Sequence, residues 1–221
     1  EVDSVKNTVI TILKEAFLLN PDFLTNSEGY KITTDLTFPR NWGLGTSSTL
    51  INNIAQWLKI DAFVLLKNSF GGSGYDIACA QNDTPILYHL QRGKPMVEKV
   101  DFLPSCTTNI HFVYLNKKQS SKTAITAYKS YSKNNLSQVI ASNNQTTSKV
   151  LEAKTIQAFA EAIEKHELDM SAILETPTIK ESLFPDFSGT IKSLGAWGGD
   201  FVMVIAKENP TEYFAQKGYT T

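Results

Sequence analysis

Cysteine is scarce in this chain of 221 residues. The two cysteines, Cys79 and Cys106, lie far apart and have no C-x-x-C spacing. A small secreted domain held together by disulfides would need more cysteines in a denser pattern, so the composition argues against a disulfide framework. We therefore expect a reducing, cytoplasmic setting.

Excess charge and long apolar runs are also missing. The 21 basic residues nearly balance the 22 acidic ones, and no block of like charges stands out. The composition therefore gives no reason to expect nucleic acid or an anionic membrane as a partner. No apolar run approaches the ~20 residues that a membrane-spanning helix needs. We expect small-molecule partners, with self-association into a homodimer left open.

Several common catalytic signatures are absent. The three histidines have no metal-ligand spacing, and we assign them no role. The chain has no G-x-S-x-G nucleophile elbow and no G-x-x-x-x-G-K-[ST] phosphate loop. These absences argue against an elbow-type hydrolase and against a nucleotide site of the Walker type.

What is present is a mixture of helical and strand patterns. Hydrophobic residues make up 42% of the chain, enough for one large domain or two small ones. Apolar periodicity predicts helices, the clearest in residues 5–17, 50–58 and 156–163. Alternating or continuous apolar runs predict strands at residues 30–38, 85–90, 96–100, 110–115 and 201–206. Strict βαβ alternation is missing, so we predict an α+β fold, with a domain boundary between residues 1–104 and 105–221 at Pro104.

The strongest local signal is a glycine-rich loop between the predicted strand 30–38 and the helix that follows. It reads Pro39-Arg40-Asn41-Trp42-Gly43-Leu44-Gly45-Thr46-Ser47-Ser48. Glycine permits positive φ and close approach of a ligand. The N–H groups and dipole of a helix start favour phosphate, and the three hydroxyls are available to bind it or Mg²⁺. A plain glycine turn with a Ser/Thr helix cap fits the same pattern about equally well.

Two more glycine-rich segments follow along the chain. In the first, Ser73-Gly74-Tyr75-Asp76, an acid stands close to a predicted helix start. Considered alone, this acid fits a residue whose negative charge is stabilised by the helix dipole. The second contains Lys192, Gly195, Ala196, Trp197, Gly198 and Gly199. Alone, it reads as a tight turn between two buried strands.

Taken together and in this order, the three segments resemble the motifs of the GHMP kinase superfamily. The P-x-x-x-G-L-G-S-S-A motif is matched by Pro39, Gly43, Leu44, Gly45 and Ser47, with Thr46 and Ser48 as substitutions. The G-x-D motif is matched by Gly74 and Asp76, in a string most like phosphomevalonate kinases and the bacterial GYDIA branch. The K-x-x-G-A-G-x-G-G motif is matched by Lys192, Gly195, Ala196, Gly198 and Gly199, with Trp197 replacing a glycine.

The resemblance implies a fold and a set of site residues. The fold would have two lobes, one like the second domain of ribosomal protein S5 and one ferredoxin-like. Asp76 would be catalytic, and Ser47 would contact Mg²⁺. The residues expected to bind ATP are Pro39, Gly43, Leu44, Gly45, Thr46, Ser47, Ser48, Gly195, Ala196, Gly198 and Gly199. Those expected to bind the acceptor are Ser73, Gly74, Tyr75 and Lys122, although Lys122 fits a solvated surface residue at least as well.

The implied activity is ATP-dependent phosphoryl transfer to mevalonate or phosphomevalonate. Three alternatives stay open: another GHMP kinase acting on a sugar or homoserine, diphosphomevalonate decarboxylase, and a catalytically silent nucleotide-binding homologue. The chain departs from the family in two ways. The N-terminal strand and loop of the family have no counterpart, so we expect a preceding segment in the natural protein. Residues 64–67 carry no carboxylate where some mevalonate kinases bind Mg²⁺.

Overall fold

A computed structural model describes residues 2–25, 28–104, 106–117, 136–195, 197 and 200–221 of the chain. These residues form two compact units. One comprises Glu1–Arg40 with Leu44–Asp101, and the other comprises Asn41–Gly43 with Phe102–Thr221. Helices predominate in the first unit, and a three-stranded sheet lies at the centre of the second. None of the helices within the described residues is long and apolar enough to cross a membrane.

Helices with one apolar face build the first unit. They are α1 (Val2–Leu19), α2 (Asp22–Thr25), α3 (Thr46–Leu58), α4 (Ala62–Ser69) and α5 (Tyr75–Ala80). Buried side chains recur three or four positions apart, as the periodicity predicts. The core consists of Ile12, Ala16, Ile51, Ile54, Ala55, Leu58, Ala62, Leu65, Leu66 and Ile77. The N-terminus of α4 is capped by Asp61, which accepts hydrogen bonds from the N–H groups of Phe63 and Val64.

A β-hairpin follows α5 in the same unit. Strands β1 (Ile86–Gln91) and β2 (Lys94–Lys99) pair antiparallel, with Gln91 opposite Lys94. Arg92 and Gly93 form the two-residue turn, and both have positive φ. Two successive residues of positive φ give a turn whose twist matches that of the flanking strands.

The predicted strand over residues 30–38 is wrong. The segment has an irregular backbone, and no strand within the described residues pairs with it. Alternation of apolar side chains identifies an amphipathic extended chain, but a strand also needs a neighbour for its backbone groups. Here Tyr30, Ile32 and Leu36 each leave at least half of their surface exposed. Tyr30 meets Trp57 of α3 edge to face, with ring centroids 4.8 Å apart.

The second unit is organised around an antiparallel sheet. Its strands are β3 (Ile110–Tyr114), β4 (Thr190–Ser193) and β5 (Phe201–Ile205), in the order β3-β5-β4. Val113 of β3 and Ser193 of β4 both stand opposite Val202 of β5. Alternate residues of β5 contribute side chains to two different cores. Val202 and Val204 join one cluster of buried side chains, and Ile205 joins another.

Helices supply the rest of both cores. They are α6 (Leu136–Glu152), α7 (Ile156–Leu174), α8 (Ile179–Leu183) and α9 (Thr211–Gln216). Phe159 and Ile163 of α7 pack with Ile205. Phe184 and Phe214 pack with Val202 and Val204, and their rings meet edge to face. A capping box between Thr178 and Glu181 starts α8.

A buried ion pair links α7 to the end of β4. Glu167 is 5% exposed, and its Oε1 accepts hydrogen bonds from the N–H and the hydroxyl of Ser193, at 3.1 and 2.5 Å. The Nζ of Lys192 lies 3.6 Å from the other carboxylate oxygen and donates to the carbonyl of Ser193 at 3.0 Å. Burial lowers the pKa of Lys192, and the carboxylate of Glu167 opposes that shift.

Glu167→Ala should lower the free energy of unfolding by about 3–5 kcal/mol, since the change leaves the buried Lys192 without its counter-charge. It also removes the acceptor for both Ser193 donors. Urea unfolding of both proteins measures the difference. Glu161→Ala, at an exposed position of the same helix, is the matched control and should change stability by less than about 0.5 kcal/mol. Equal losses in the two variants would contradict the structural role of the pair.

Candidate functional site

The start of α3 is an unusual helix terminus. Its N-cap residue is Gly45, with φ 70° and ψ 25°, and no side chain caps the helix. The first intrahelical bond runs from Thr49 N–H to the Gly45 carbonyl, at 3.0 Å. The N–H groups of Thr46, Ser47 and Ser48 come before that bond and have no intrahelical acceptor. Uncapped N–H groups at the positive end of a helix dipole suit an anion.

The three hydroxyl side chains of this first turn differ in exposure. Ser48 is 9% exposed, Thr46 is half-buried and Ser47 is exposed to solvent. Of the three, Ser47 therefore presents the hydroxyl that a bound ligand or cation can reach most easily. Leu44, before the cap, exposes 47% of its surface.

Asp76 borders the same helix start. A Cβ built on Gly45 would lie 3.7 Å from Cγ and 3.8 Å from Oδ2 of Asp76. The carboxylate therefore stands near the N-cap of α3, at the distance at which a Cβ added to Gly45 would just touch it, within the first unit. Although Asp76 reaches solvent, the surrounding atoms partly desolvate it, and this burial raises its pKa. The two predicted motifs are thus brought together at Gly45.

A tight turn determines where Asp76 stands. Gly74, the N-cap of α5, has φ 85°, and a Cβ there would lie 3.0 Å from both Phe63 and the hydroxyl of Tyr88. Tyr88 donates a hydrogen bond to the carbonyl of Ser73. The hydroxyl of Ser73 accepts from the N–H of Tyr75 at 3.3 Å. Ser73 and Gly74, predicted to bind the acceptor, therefore also have local roles in forming the turn.

Tyr75 stands beside Asp76 with half of its surface exposed. Its ring meets that of Tyr88 edge to face, with centroids 5.7 Å apart. Partial burial, reinforced by a hydrogen bond to Cys79 and by the charge of Asp76, raises the pKa of Tyr75 to about 12. The phenol is therefore neutral at pH 7 and can donate a hydrogen bond.

The beginning of the loop is held separately, within the second unit. Asn41 donates a hydrogen bond to the hydroxyl of Tyr114 at 3.0 Å, and Trp42 meets Phe201 edge to face at 5.3 Å. Gly43, with φ 70°, faces the carboxylate of Asp200, and a Cβ at Gly43 would lie 2.5 Å from it. Any larger residue at position 43 would collide with Asp200. The sequence analysis missed Asp200, although it is the acid directly after Gly199.

The third motif is described only in part. Gly195 has φ 65°, and Trp197 is half-buried with φ 50°. Ala196, Gly198 and Gly199 lie outside the described residues, as does Lys122. Lys192 faces Glu167 in the buried ion pair of the second unit.

The donor set determines which metal fits. No group of three or more histidine, cysteine, aspartate and glutamate side chains able to hold a metal occurs among the described residues. Near the start of α3, the oxygen donors are the Ser47 hydroxyl and the Asp76 carboxylate. Mg²⁺ needs few protein ligands, because phosphate oxygens and waters complete its shell. The residues present therefore fit Mg²⁺ bound together with a phosphate.

Comparison with known proteins finds solved structures with a similar fold. No family model matches the chain, and no curated protein does. Among solved structures, the Lin0012 protein from Listeria innocua is similar with a TM-score of 0.68 at 17% identity, over 95% of this chain and 76% of that one. L. major mevalonate kinase in complex with R-mevalonate gives a TM-score of 0.54 at 15% identity, over 76% of this chain. The match spans 53% of the mevalonate kinase, about half its length. The chain thus has a mixed helix and sheet fold similar to the folds of these two proteins.

Gly43→Ala should destabilise the protein by more than the ~1–2 kcal/mol that left-handed φ costs an alanine, because the new methyl group collides with Asp200. Chemical unfolding of Gly43→Ala in the natural chain and in an Asp200→Gly background separates the two contributions. The substitution should cost less where Asp200 is absent. Gly218→Ala is the control, since Gly218 has φ 83° and open space around it. Equal costs in both backgrounds would contradict the predicted collision.

Asp76→Asn should raise the free energy of unfolding at neutral pH, because partial burial disfavours the ionised carboxylate in the folded protein. The raised pKa makes the stability contribution of Asp76 greatest in acid, and that contribution is lost as pH rises. The gain in the variant should therefore vanish below about pH 3.9, the ordinary pKa of aspartate. Thermal unfolding across pH measures it.

Asp186→Asn provides the comparison of opposite sign. A hydrogen bond from Tyr213, together with Lys217, lowers the pKa of Asp186. Its removal should lower stability at neutral pH, and that loss should fade in acid. The same sign in both variants would contradict the assignment for Asp76.

Proposed function

We propose that the protein is an ATP-dependent kinase for a small molecule. In this proposal the start of α3 holds the nucleotide phosphates and Asp76 lies beside the acceptor. The observation that carries the proposal is the position of the Asp76 carboxylate near Gly45, at an uncapped helix terminus. The GHMP-like fold gives it independent support.

Charge explains why these two features belong together. A phosphate attracted to the N–H groups of Thr46 to Ser48 would be repelled by a carboxylate near Gly45. A divalent cation bound with the phosphate removes that repulsion. Mg²⁺, when bound, neutralises phosphate charge during transfer. In this proposal Ser47 Oγ holds it. The site is therefore better suited to a magnesium nucleotide than to a bare phosphate.

The role of Asp76 follows from its environment. Phosphoryl transfer depends mainly on positioning and on stabilising charge. A hydroxyl acceptor must also lose a proton, and a carboxylate with a raised pKa accepts one more readily than an ordinary carboxylate. We propose that the carboxylate of Asp76 takes this proton. The neutral phenol of Tyr75 would donate a hydrogen bond to the acceptor.

The acceptor is the finer part of the proposal. We favour mevalonate or phosphomevalonate, in the cytoplasm, because the motifs resemble phosphomevalonate kinases and a similar structure is a mevalonate kinase with R-mevalonate bound. The pKa of Asp76 bears on the choice. A phosphate acceptor is already mostly ionised, with a second pKa of about 6, and needs cations more than a base. The raised pKa of Asp76 therefore favours a hydroxyl acceptor.

A nucleotide-binding protein without catalysis is the second candidate. Trp197 occupies a position where the resembled motif has glycine, and its backbone takes a left-handed conformation that glycine adopts more easily. A bulky residue in a nucleotide turn is compatible with binding at reduced reactivity. Retention of Asp76 next to Gly45 favours the enzyme.

Asp76→Asn should reduce acceptor-dependent ADP release by about 10²–10⁴-fold, the contribution typical of a positioned base. The protein is incubated with ATP and Mg²⁺ and, separately, with mevalonate, phosphomevalonate, homoserine and galactose, and ADP is measured. Asp83→Asn, at an exposed acid of the same unit, is the control and should retain activity. An Asp76→Asn variant as active as the natural chain would overturn the assigned role. ATP binding without ADP release for any acceptor would favour the second candidate.

A further inference from the structure

A cavity lies within the second unit, between α6 and α7. Its volume is about 520 Å³, within the roughly 300–1,000 Å³ of small-molecule sites. None of its lining residues is fully buried, so the cavity is an open pocket at the surface of the unit. Of its lining residues, Trp197 alone belongs to a segment that the resemblance connects with the nucleotide.

The walls of the cavity are largely apolar. Val139 and Ile140 of α6 face Met170 and Ile173 of α7, and Trp197 completes the lining. An aromatic ring, a flexible thioether and branched side chains together suit a compact hydrocarbon or ring. This part of the cavity therefore selects for an apolar body.

One part of the lining is polar yet carries little net charge. Asp169 lies 2.6 Å from the Nζ of Lys165 and accepts a hydrogen bond from Ser142 at 2.9 Å. The charge of Asp169 is therefore balanced locally. Behind it, Glu167 is balanced by Lys192. A charged ligand would find no free counter-charge among these side chains and would lose its hydration on entry.

His166 supplies the hydrogen-bonding group of this lining. Its Nδ1 is buried, with no partner among the described residues, so a ligand in the cavity would have to reach the other ring nitrogen, Nε2. Burial, together with nearby Lys192, lowers its pKa against the opposing charges of Glu167 and Asp169. The imidazole is therefore neutral at pH 7, and a neutral imidazole offers both a donor and an acceptor. A hydroxyl group, which also donates and accepts, complements it.

We propose that this cavity binds a neutral small molecule with a compact apolar body and one hydroxyl group, which hydrogen-bonds to His166. Neither Gly45 nor Asp76 lines this cavity, and the inference does not depend on kinase activity. The proposed ligand is neutral and therefore differs in charge from the proposed acceptors, which are anionic. The ligand would therefore be an additional effector and not the molecule that receives the phosphate.

The test uses cyclohexanol as the probe and the full chain without ATP. Methionine is labelled with ¹³C at its methyl group, and the three resonances are followed by NMR. Cyclohexanol should shift the Met170 signal saturably with a Kd in the millimolar range or tighter, and leave Met96 of β2 unchanged. Cyclohexanecarboxylate and cyclohexylamine should cause no saturable shift. Absence of a saturable shift with cyclohexanol up to about 20 mM, or equal binding of all three probes, would overturn the proposal.

Two variants test the location and the hydroxyl contact. Ala172→Trp, at an exposed position in the lining, should fill the cavity and abolish the Met170 shift, whereas Ala158→Trp at an exposed position of the same helix should not. His166→Leu should weaken cyclohexanol about 2–10-fold, the value of one net hydrogen bond, and leave toluene binding unchanged. Equal binding in the two tryptophan variants would contradict the location. Equal weakening of both probes would contradict the contact.

Discussion

The placement of Asp76 beside the glycine that starts α3 is the constraint on which the candidate site depends. Gly45 adopts left-handed backbone angles and has no side chain, so α3 begins with its first N–H groups uncapped and with a carboxylate nearby. A residue with a side chain would be strained at this φ, although its Cβ would meet Asp76 only at ordinary van der Waals distance. Most helix starts gain stability from a capping side chain. Here that stabilisation is absent, and the N–H groups stay available to an anion.

Two other glycines let neighbouring groups lie close to the backbone. Gly74 lets the turn before α5 pass against Phe63 and Tyr88, which determines where Asp76 stands. Gly43 makes room for the carboxylate of Asp200 in the second unit. In each case the absence of a Cβ permits a contact that no other residue would allow. The glycine motifs therefore specify backbone geometry as well as ligand contacts.

Burial of polar groups has different consequences in the two units. In the second, Glu167 and Lys192 balance each other and satisfy the donors of Ser193, so burial there holds α7 to β4. In the first, Asp76 is partly desolvated, and this burial raises its pKa. A carboxylate held at some cost in stability is typical of a functional site and uncommon in a structural one. This contrast separates the candidate site from the ion pair although both contain perturbed groups.

Local features of the chain could be read from the sequence alone. Helical periodicity predicted α1, α3 and α7, and the glycine–acid motif identified Gly45, Gly74 and Asp76 as residues of interest. Each of these rests on side chains a few positions apart, where the chain itself determines the neighbours. The strand predicted at residues 30–38 was wrong because strand formation needs a partner that alternation cannot reveal. Three pairs of neighbouring residues lie from 26 to more than 150 positions apart in the sequence: Gly45 and Asp76, Gly43 and Asp200, and Glu167 and Ser193. Only the tertiary structure decided those contacts, because they depend on how distant segments pack.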